Sequence, residues 1–151
     1  MANLQTISPE GLKFIQNFEG FRERPYKDTG GLLTIGYGQR ITEEEADNYK
    51  NGITKEEAQS LFDGYMNSMV SRLRSCPLAL LQHQFDAVCS LSYNIGLHEF
   101  LNSTIYKMLS VRGVDLSSWL VFIKDNRGHS DDGLIRRRRL ELKLFIYGIY
   151  N

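Results

Sequence analysis

The sequence predicts a mostly helical α+β protein: a small N-terminal β-hairpin lobe, a long connecting helix and an all-helical C-terminal lobe. Three observations point there. Residues 24–38 break an otherwise helical texture with β-branched and aromatic residues around the pair Gly30-Gly31. A capped pattern with a 3.6-residue period then runs unbroken to Pro77, and every later segment has helical spacing with short, glycine-containing connections.

The first helix carries its own punctuation. Ser8 is an N-cap, Pro9 takes the first helical position, Glu10 lies in the first turn, Leu12, Ile15 and Phe18 share one face, and Gly20 ends it. Glu19 therefore falls at the helix C-terminus, where the terminal carbonyls disfavour a carboxylate. The hairpin follows, with Asp28 and Thr34 on opposite arms, and with Gly36 and Gly38 allowing the backbone to approach another surface closely. Thr42 with Glu45 and Thr54 with Glu57 are capping-box patterns. The first starts a short helix. The second starts a long one carrying Leu61, Phe62, Tyr65, Met66, Met69, Val70 and Leu73. At about 20 residues it spans about 30 Å, enough to form a spine between two lobes. Helices are expected over 78–93, 103–109, 116–124 and 134–147, joined by connections holding Gly96, Gly113, Gly128 and Gly133, with Trp119 as a core anchor. The expected division is one domain over residues 1–151, with an N-terminal lobe at about 14–55, a connecting helix at about 55–75 and a C-terminal lobe at about 78–151 on which helix 8–19 packs. Lobes joined in this way leave a groove between them.

Composition excludes several classes. The 151 residues are 42% hydrophobic, 11% aromatic and 24% charged, unlike a disordered or collagen-like chain. Eighteen Lys and Arg balance eighteen Asp and Glu, which argues against a nucleic-acid binder. The balance conceals an asymmetry: residues 1–60 hold seven basic and ten acidic side chains, residues 61–151 eleven and eight. No signal peptide is visible, and the longest apolar run, 119–123, is far short of the roughly 18 residues of a membrane span. Synthesis in a cytoplasm without membrane insertion is the expectation. Cys76 and Cys89 make no disulfide framework, and with His83, His98 and His129 scattered no metal-ligand spacing appears. No metal and no cofactor are expected. Cys89, among Phe85, Ala87, Val88 and Leu91, reads as a buried side chain, and Cys76 as an inert thiol.

Hydrolysis of a glycosidic bond commonly uses a protonated acid for the leaving oxygen and a carboxylate that attacks or activates water. Glu19 and Asp28 suit this division. Burial beside Phe18 and Phe21 and the helix end both favour a protonated Glu19, whereas Asp28, in a polar hairpin, can stay ionised and orient water with the Thr34 hydroxyl. Each residue also fits an ordinary role, Asp28 in a turn, Thr34 in a strand and Glu19 at an exposed helix end. Chemistry alone leaves the assignment open.

The stretch Glu19-Gly20-Phe21-Arg22, Tyr26-Lys27-Asp28-Thr29-Gly30-Gly31 and Leu33-Thr34-Ile35-Gly36-Tyr37-Gly38 resembles the signature of phage-type lysozymes, glycoside hydrolase family 24. In that family the catalytic Glu is followed nine residues on by Asp and six further by Thr, the intervals of Glu19, Asp28 and Thr34. Phe85-Asp86-Ala87, Ser92-Tyr93-Asn94-Ile95-Gly96, Phe100 and Asn102-Ser103-Thr104 resemble its central motif. Gly133-Leu134, Arg137-Arg138, Glu141 and Leu144-Phe145 resemble its C-terminal one. The resemblance implies a lysozyme-like two-lobe fold and a muramidase that cuts the β-1,4 bond between N-acetylmuramic acid and N-acetylglucosamine in peptidoglycan. It implies Glu19 as general acid, Asp28 as the carboxylate that positions water and Thr34 as its hydroxyl partner. Inversion is implied too, with carboxyl groups about 6.5–9.5 Å apart. Tyr93, Asn94 and Ser103 match groove-facing positions suited to sugar contacts, with Gly36 shaping the groove. The same resemblance implies a phage or prophage endolysin, which without a signal or anchor needs a holin-type pore to reach the wall; a secreted bacterial antagonist using dedicated machinery would carry the same sequence features, and a monomer is expected. Arg40 and Ile41 depart from many members.

Arg136 to Arg139 cannot form one basic patch, because consecutive helical residues point about 100° apart. Arg137 and Arg138 occupy the family's paired-arginine positions, and Arg137 is expected to pair with Glu19. Glu141 is expected to pair with Arg137 or Arg138 at helical spacing, while Arg136 and Arg139 face solvent. A competing reading, a non-catalytic wall-binding module or adaptor with a retained groove, is disfavoured because all three catalytic positions are filled.

Overall fold

Helix α1 (Pro9–Glu19) begins where Ser8 caps it: the Ser8 hydroxyl accepts from the Gly11 N–H at 3.0 Å, and the Ser8 carbonyl takes the first helical bond, from Leu12. The computed structural model describes residues 5–28, 30–110, 116–125 and 127–151. Thr29 of the hairpin motif and Gly113 of an expected connection lie outside them. The described residues cluster into two compact units, those within Gln16–Asn67 and those within Met1–Ile15 and Ser68–Asn151.

In the first unit, β1 (Arg22–Lys27), β2 (Leu33–Gly36) and β3 (Gln39–Arg40) form a three-stranded antiparallel sheet in the order β1-β2-β3. The expected hairpin is its first pair. The third strand adds Thr34↔Arg40 and Ile35↔Gln39, across a turn whose Gly36 and Gly38 both have positive φ. Gly36 is required twice over, since at φ +64 its absent Cβ would lie 3.1 Å from the Ala58 Cβ. Ile35, Ile53 and Ala58 form the core beneath the sheet, flanked by Phe21, Tyr37, Ile41, Tyr49 and Leu61. Helix α2 (Glu43–Asn48) carries a reciprocal Thr42/Glu45 capping box. At Thr54 the hydroxyl caps Glu57 N–H at 3.1 Å and meets the Glu57 carboxylate directly. Helix α3 (Lys55–Arg74) follows, and the boundary between the two units falls within it. It buries Ala58, Phe62, Met66, Met69, Val70 and Leu73, but Tyr65, expected on that face, is 42% exposed because it is turned about 100° from Met66.

The second unit is helical, with α4 (Gln82–Ile95), α5 (Leu97–Leu101), α6 (Thr104–Ser110), a 3-10 helix (Leu116–Val121) and α7 (Asp132–Tyr147). Three expectations need correction. Residues 78–81 are not helical, because Pro77 is followed by a tight Leu78–Cys76 backbone bond and α4 starts only where the Gln84 side chain accepts from Leu81 N–H. Helix α5 was not anticipated. The segment 116–124 is a 3-10 turn that gives way to a Lys124↔Ser130 bridge, since Asp125 Oδ1 accepts from the N–H groups of Arg127 and His129 and reverses the chain. Cys89 and Trp119 are fully buried, as expected, and burial pushes the Cys89 thiol well above its usual range.

Two buried carboxyl groups organise this unit. Glu141 Oε1 lies 2.7 Å from Arg138 Nε and accepts from the Trp119 indole at 3.1 Å. Its Oε2 accepts from Arg137 at 3.3 Å, from Arg138 at 3.3 Å and from the Ser90 hydroxyl. Arg137 and Arg138 are buried while Arg136 and Arg139 are exposed, the split that helical geometry requires. Asp86 of α4 accepts from Ser8 N–H, the Ser8 hydroxyl, Gln82 and the Tyr150 hydroxyl, so it ties the start of α1 and the C-terminal segment to α4. Gly11 makes room for it: a Cβ there would lie 2.7 Å from Asp86 Cγ.

Arg138→Met leaves Glu141 short of a buried cationic partner and should lower the unfolding free energy by about 3–5 kcal/mol. Arg139→Met, at an exposed position, should stay within about 0.5 kcal/mol in the same urea titration. Burial and then the hydrogen bond to Asp86 push the Tyr150 phenol up to about 12. The unfolded chain's tyrosine ionises first, so Tyr150 contributes fully below pH 10 and its share is lost as pH climbs from 10 towards 12. Tyr150→Phe should therefore flatten the fall of the urea midpoint over that window, and an equal fall in both proteins would refute the coupling.

Candidate active site

Glu19 is the last residue of α1 and is half-buried; the Gly20 N–H still bonds Gln16 O, so the helix ends against the acid. Two residues later β1 begins. Between the pairs Arg22↔Gly36 and Tyr26↔Thr34, the residues Glu23, Arg24 and Pro25 stand opposite Ile35, a bulge of the kind that a residue without an N–H permits. The register then runs cleanly through Lys27↔Leu33 to Asp28, whose N–H bonds Leu32 O at 2.9 Å.

Asp28 closes the hairpin with both its backbone and its side chain. Gly31 N–H bonds Asp28 O at 2.9 Å, while Asp28 Oδ1 accepts from Gly30 N–H at 2.8 Å and Leu32 N–H at 2.9 Å. Oδ2 takes no part in these bonds. Thr34 is 3% exposed and its hydroxyl donates to Leu32 O at 2.9 Å, which leaves its lone pairs as acceptors. Side chains alternate along a strand, so Tyr26 and Asp28, with Thr34 opposite Tyr26, share one face of the hairpin. Tyr26 also reports on Glu19. Its phenol lies above its ordinary range, raised first by burial, lowered by Arg22 and raised again by the charges of Glu19 and of Asp28. Both carboxylates thus act on one hydroxyl. Tyr26 and Arg22 are the functional candidates that the sequence did not single out, and the available signal was the two-residue step from Tyr26 to Asp28 on a strand.

The remaining candidates belong to the helical unit. Tyr93 and Asn94 are half-buried near the C-terminal end of α4. Arg138 Nη2 donates to Asn94 Oδ1 at 2.7 Å, which orients the amide oxygen towards the guanidinium and its NH2 away. Ser103 caps α6, accepting from Tyr106 N–H at 3.2 Å and donating to Phe100 O, so its hydroxyl hydrogen is committed to the backbone. A Cβ on Gly36 would lie 3.1 Å from the Ala58 Cβ and 3.4 Å from the Ile53 Cδ1, a packing constraint within the sheet unit. Arg137, besides Glu141, donates to Ser90 O at 3.2 Å. Among the described residues no group of His, Cys, Asp and Glu could hold a metal, and no helix is long and apolar enough to cross a membrane.

Comparison with known proteins identifies the family. The family described as phage lysozyme matches residues 16–141. The chain is 32% identical over 145 residues to the endolysin of Acyrthosiphon pisum secondary endosymbiont phage 1, covering 92% of this chain and 97% of that protein. It is 30% identical over 148 residues to the endolysin of Salmonella phage P22, covering 95% and 99%. The solved structure of the endolysin from Escherichia coli O157:H7 phage FAHEc1 matches with a TM-score of 0.82 at 26% identity, covering 100% of this chain and 99% of that one. A mostly helical α+β chain with a small antiparallel sheet, carrying these motifs over most of its length, belongs to the phage lysozyme family of glycoside hydrolases.

Proposed function

We propose that the chain is a peptidoglycan muramidase of the endolysin type, cutting the β-1,4 bond between N-acetylmuramic acid and N-acetylglucosamine with Glu19 as acid and Asp28 and Thr34 as the water-holding pair. The supporting observation is the asymmetry at Asp28: one oxygen is locked into the turn by two N–H groups and the other takes no part in those bonds, while strand alternation puts Asp28 on the face of Tyr26 and Thr34. A water donating one hydrogen to Asp28 Oδ2 and the other to Thr34 Oγ1 has a lone pair left for the anomeric carbon. Glu19 gives its proton to the glycosidic oxygen as the carbon–oxygen bond breaks. The water oxygen bonds the anomeric carbon from the opposite face and its proton passes to Asp28, so the configuration inverts. Asn94, its amide oxygen held by Arg138, and Tyr93 serve as sugar contacts in this reading, the amide NH2 donating to a hydroxyl or N-acetyl oxygen.

Muropeptides released from purified sacculi and analysed by mass spectrometry test bond and residue together. Wild type should release fragments ending in reducing N-acetylmuramic acid, and Glu19→Gln should slow release by about 10²–10⁴-fold. Equal release by the two proteins, or a reducing N-acetylglucosamine, defeats the reading. Fresh reducing ends should be α by NMR, and β ends would mean retention. Asn94→Asp keeps the oxygen that Arg138 bonds but replaces the outward donor with an acceptor. It should raise KM about tenfold, the size of one lost hydrogen bond, while the melting temperature holds.

A further inference from the structure

The acid proposed for the reaction stands at the end of a helix, where backbones fray, and the residue after it, Gly20 at φ +64, has open space beside it and no side chain to limit rotation. Two tethers to α3 bracket this stretch, both within the Gln16–Asn67 unit. One follows the acid. The Phe21 ring lies 5.6 Å from the Tyr37 ring and under Lys55 at 5.8 Å, and it packs on the core of Ile35, Ile53 and Ala58. The other precedes it. The Gln16 carbonyl accepts the last helical bond, from Gly20 N–H at 3.1 Å, so the peptide joining Glu19 to Gly20 is bonded to this residue. The Gln16 side chain leaves the helix, its Nε2 donating to Gln59 Oε1 at 2.7 Å, and Gln59 Nε2 donates in turn to Asp63 Oδ1 at 2.9 Å, four residues further along α3. A carboxylate only accepts, so Asp63 turns the Gln59 amino group towards itself and the amide oxygen towards Gln16. The direction of the chain is thereby set from its α3 end.

We propose that Gln16, Gln59 and Asp63 are positioning residues for Glu19, a relay of side-chain hydrogen bonds that fixes the last turn of α1 on α3 and so holds the carboxyl group in place for proton transfer. The proposal deepens the muramidase reading and rests on it. Stability alone does not call for the relay. Its three side chains are half-buried, where water offers alternative partners and an internal hydrogen bond gains little, and the apolar core beneath the sheet forms without them. Placement of the acid does call for it, because a misplacement of about 1 Å at a reacting group costs about 10²-fold in rate. Between a fixed Gln16 and a fixed Phe21, Glu19 and Gly20 have little room to move. The relay touches no sugar in this reading, so its loss falls on kcat rather than KM.

Gln59→Met keeps the length and packing of the side chain and removes both of its bonds. On soluble peptidoglycan strands it should lower kcat roughly tenfold, part of the cost of a misplaced acid, with KM little changed. Gln16→Met should do the same, and the double variant should fall no further, because either change breaks the chain between α1 and α3. Asp63→Asn, which keeps an acceptor for Gln59, should recover most of the rate that Asp63→Leu loses. Unchanged kcat in Gln59→Met, a raised KM with kcat intact, or losses that add in the double variant overturn the proposal. A second measurement does not depend on turnover: by nitrogen-15 relaxation the backbone order parameters of Glu19 and Gly20 should lie near the rigid value of about 0.85 in wild type and fall towards about 0.6 in Gln59→Met, while that of Ile35 in the sheet holds. If the two stay high, the acid is fixed without the relay and the proposal fails; if Ile35 falls with them, the whole unit has loosened and the proposal fails as well. A wild type that releases no muropeptide removes the muramidase reading instead, while the order parameters still report whether the relay holds the helix end.

Discussion

The buried carboxylate of Glu141 is the constraint from which the helical unit takes its arrangement. Removing a charge from water costs several kcal/mol, recovered only where geometry supplies opposite charge and hydrogen bonds together. Here two guanidiniums, an indole N–H and a hydroxyl converge on its two oxygens. Hydrophobicity alone would leave α7 free to roll, because Leu134, Ile135, Leu140, Leu142, Leu144, Phe145, Ile146 and Tyr147 surround its axis, and Ile146 and Tyr147 remain exposed. The ion cluster selects one roll. It turns Arg137 and Arg138 inward, draws Ser90 of α4 and Trp119 of the 3-10 helix to the same point, and extends through Arg138 to the Asn94 amide.

Three carboxyl groups with different surroundings separate structure from chemistry in this chain. Glu141 and Asp86 accept bonds at both oxygens and are completely buried, so neither offers an atom to a ligand. Asp28 accepts two backbone N–H groups at one oxygen, in a half-buried turn. That arrangement fixes its direction while keeping the second oxygen out of the turn. Rigidity supplied by the backbone suits the water-holding role proposed for Asp28, because peptide N–H groups do not titrate and the hairpin sets their position.

The parts of the fold legible in the sequence are those whose determinants are local. Ser8 with Pro9, Thr42 with Glu45 and the apolar stripe from Leu61 to Leu73 each specify a helix from within a few residues, and each forms. The arginine run was legible for the same reason, since four adjacent residues and a 100° step suffice. Strand β3 was not, because two residues carry no periodicity and its pairing depends on the glycine turn before it. The Asp86 cluster was hidden by distance along the chain, its partners lying 78 and 64 residues away. One trace of it was visible, an acid between Phe85 and Ala87 on an apolar stretch of helix. For the candidate site, residue chemistry left Glu19, Asp28 and Thr34 among ordinary alternatives, and it was the resemblance to the family's intervals that picked them out as the proposed catalytic set. The Arg22–Tyr26 stack, with the guanidinium Cζ 4.6 Å from the ring centroid, escaped notice because it exists only through a bulge, and a bulge changes register without altering composition.

Zero net charge acquires a different meaning once burial is known. In residues 61–151 the basic side chains outnumber the acidic by eleven to eight. Among the described residues of that segment, the buried charges are Arg137 and Arg138 with Asp86 and Glu141, two of each sign. The interior is therefore balanced by itself, and the whole positive excess lies towards solvent, Arg136 and Arg139 included. An excess placed there attracts an anionic polymer at long range without forming a specific patch. Because the Debye length is about 10 Å at 0.1 M salt, that attraction weakens as ionic strength rises. The pairs that hold the core, shielded from solvent, keep their strength, so the same arginine run contributes one salt-sensitive and one salt-insensitive effect.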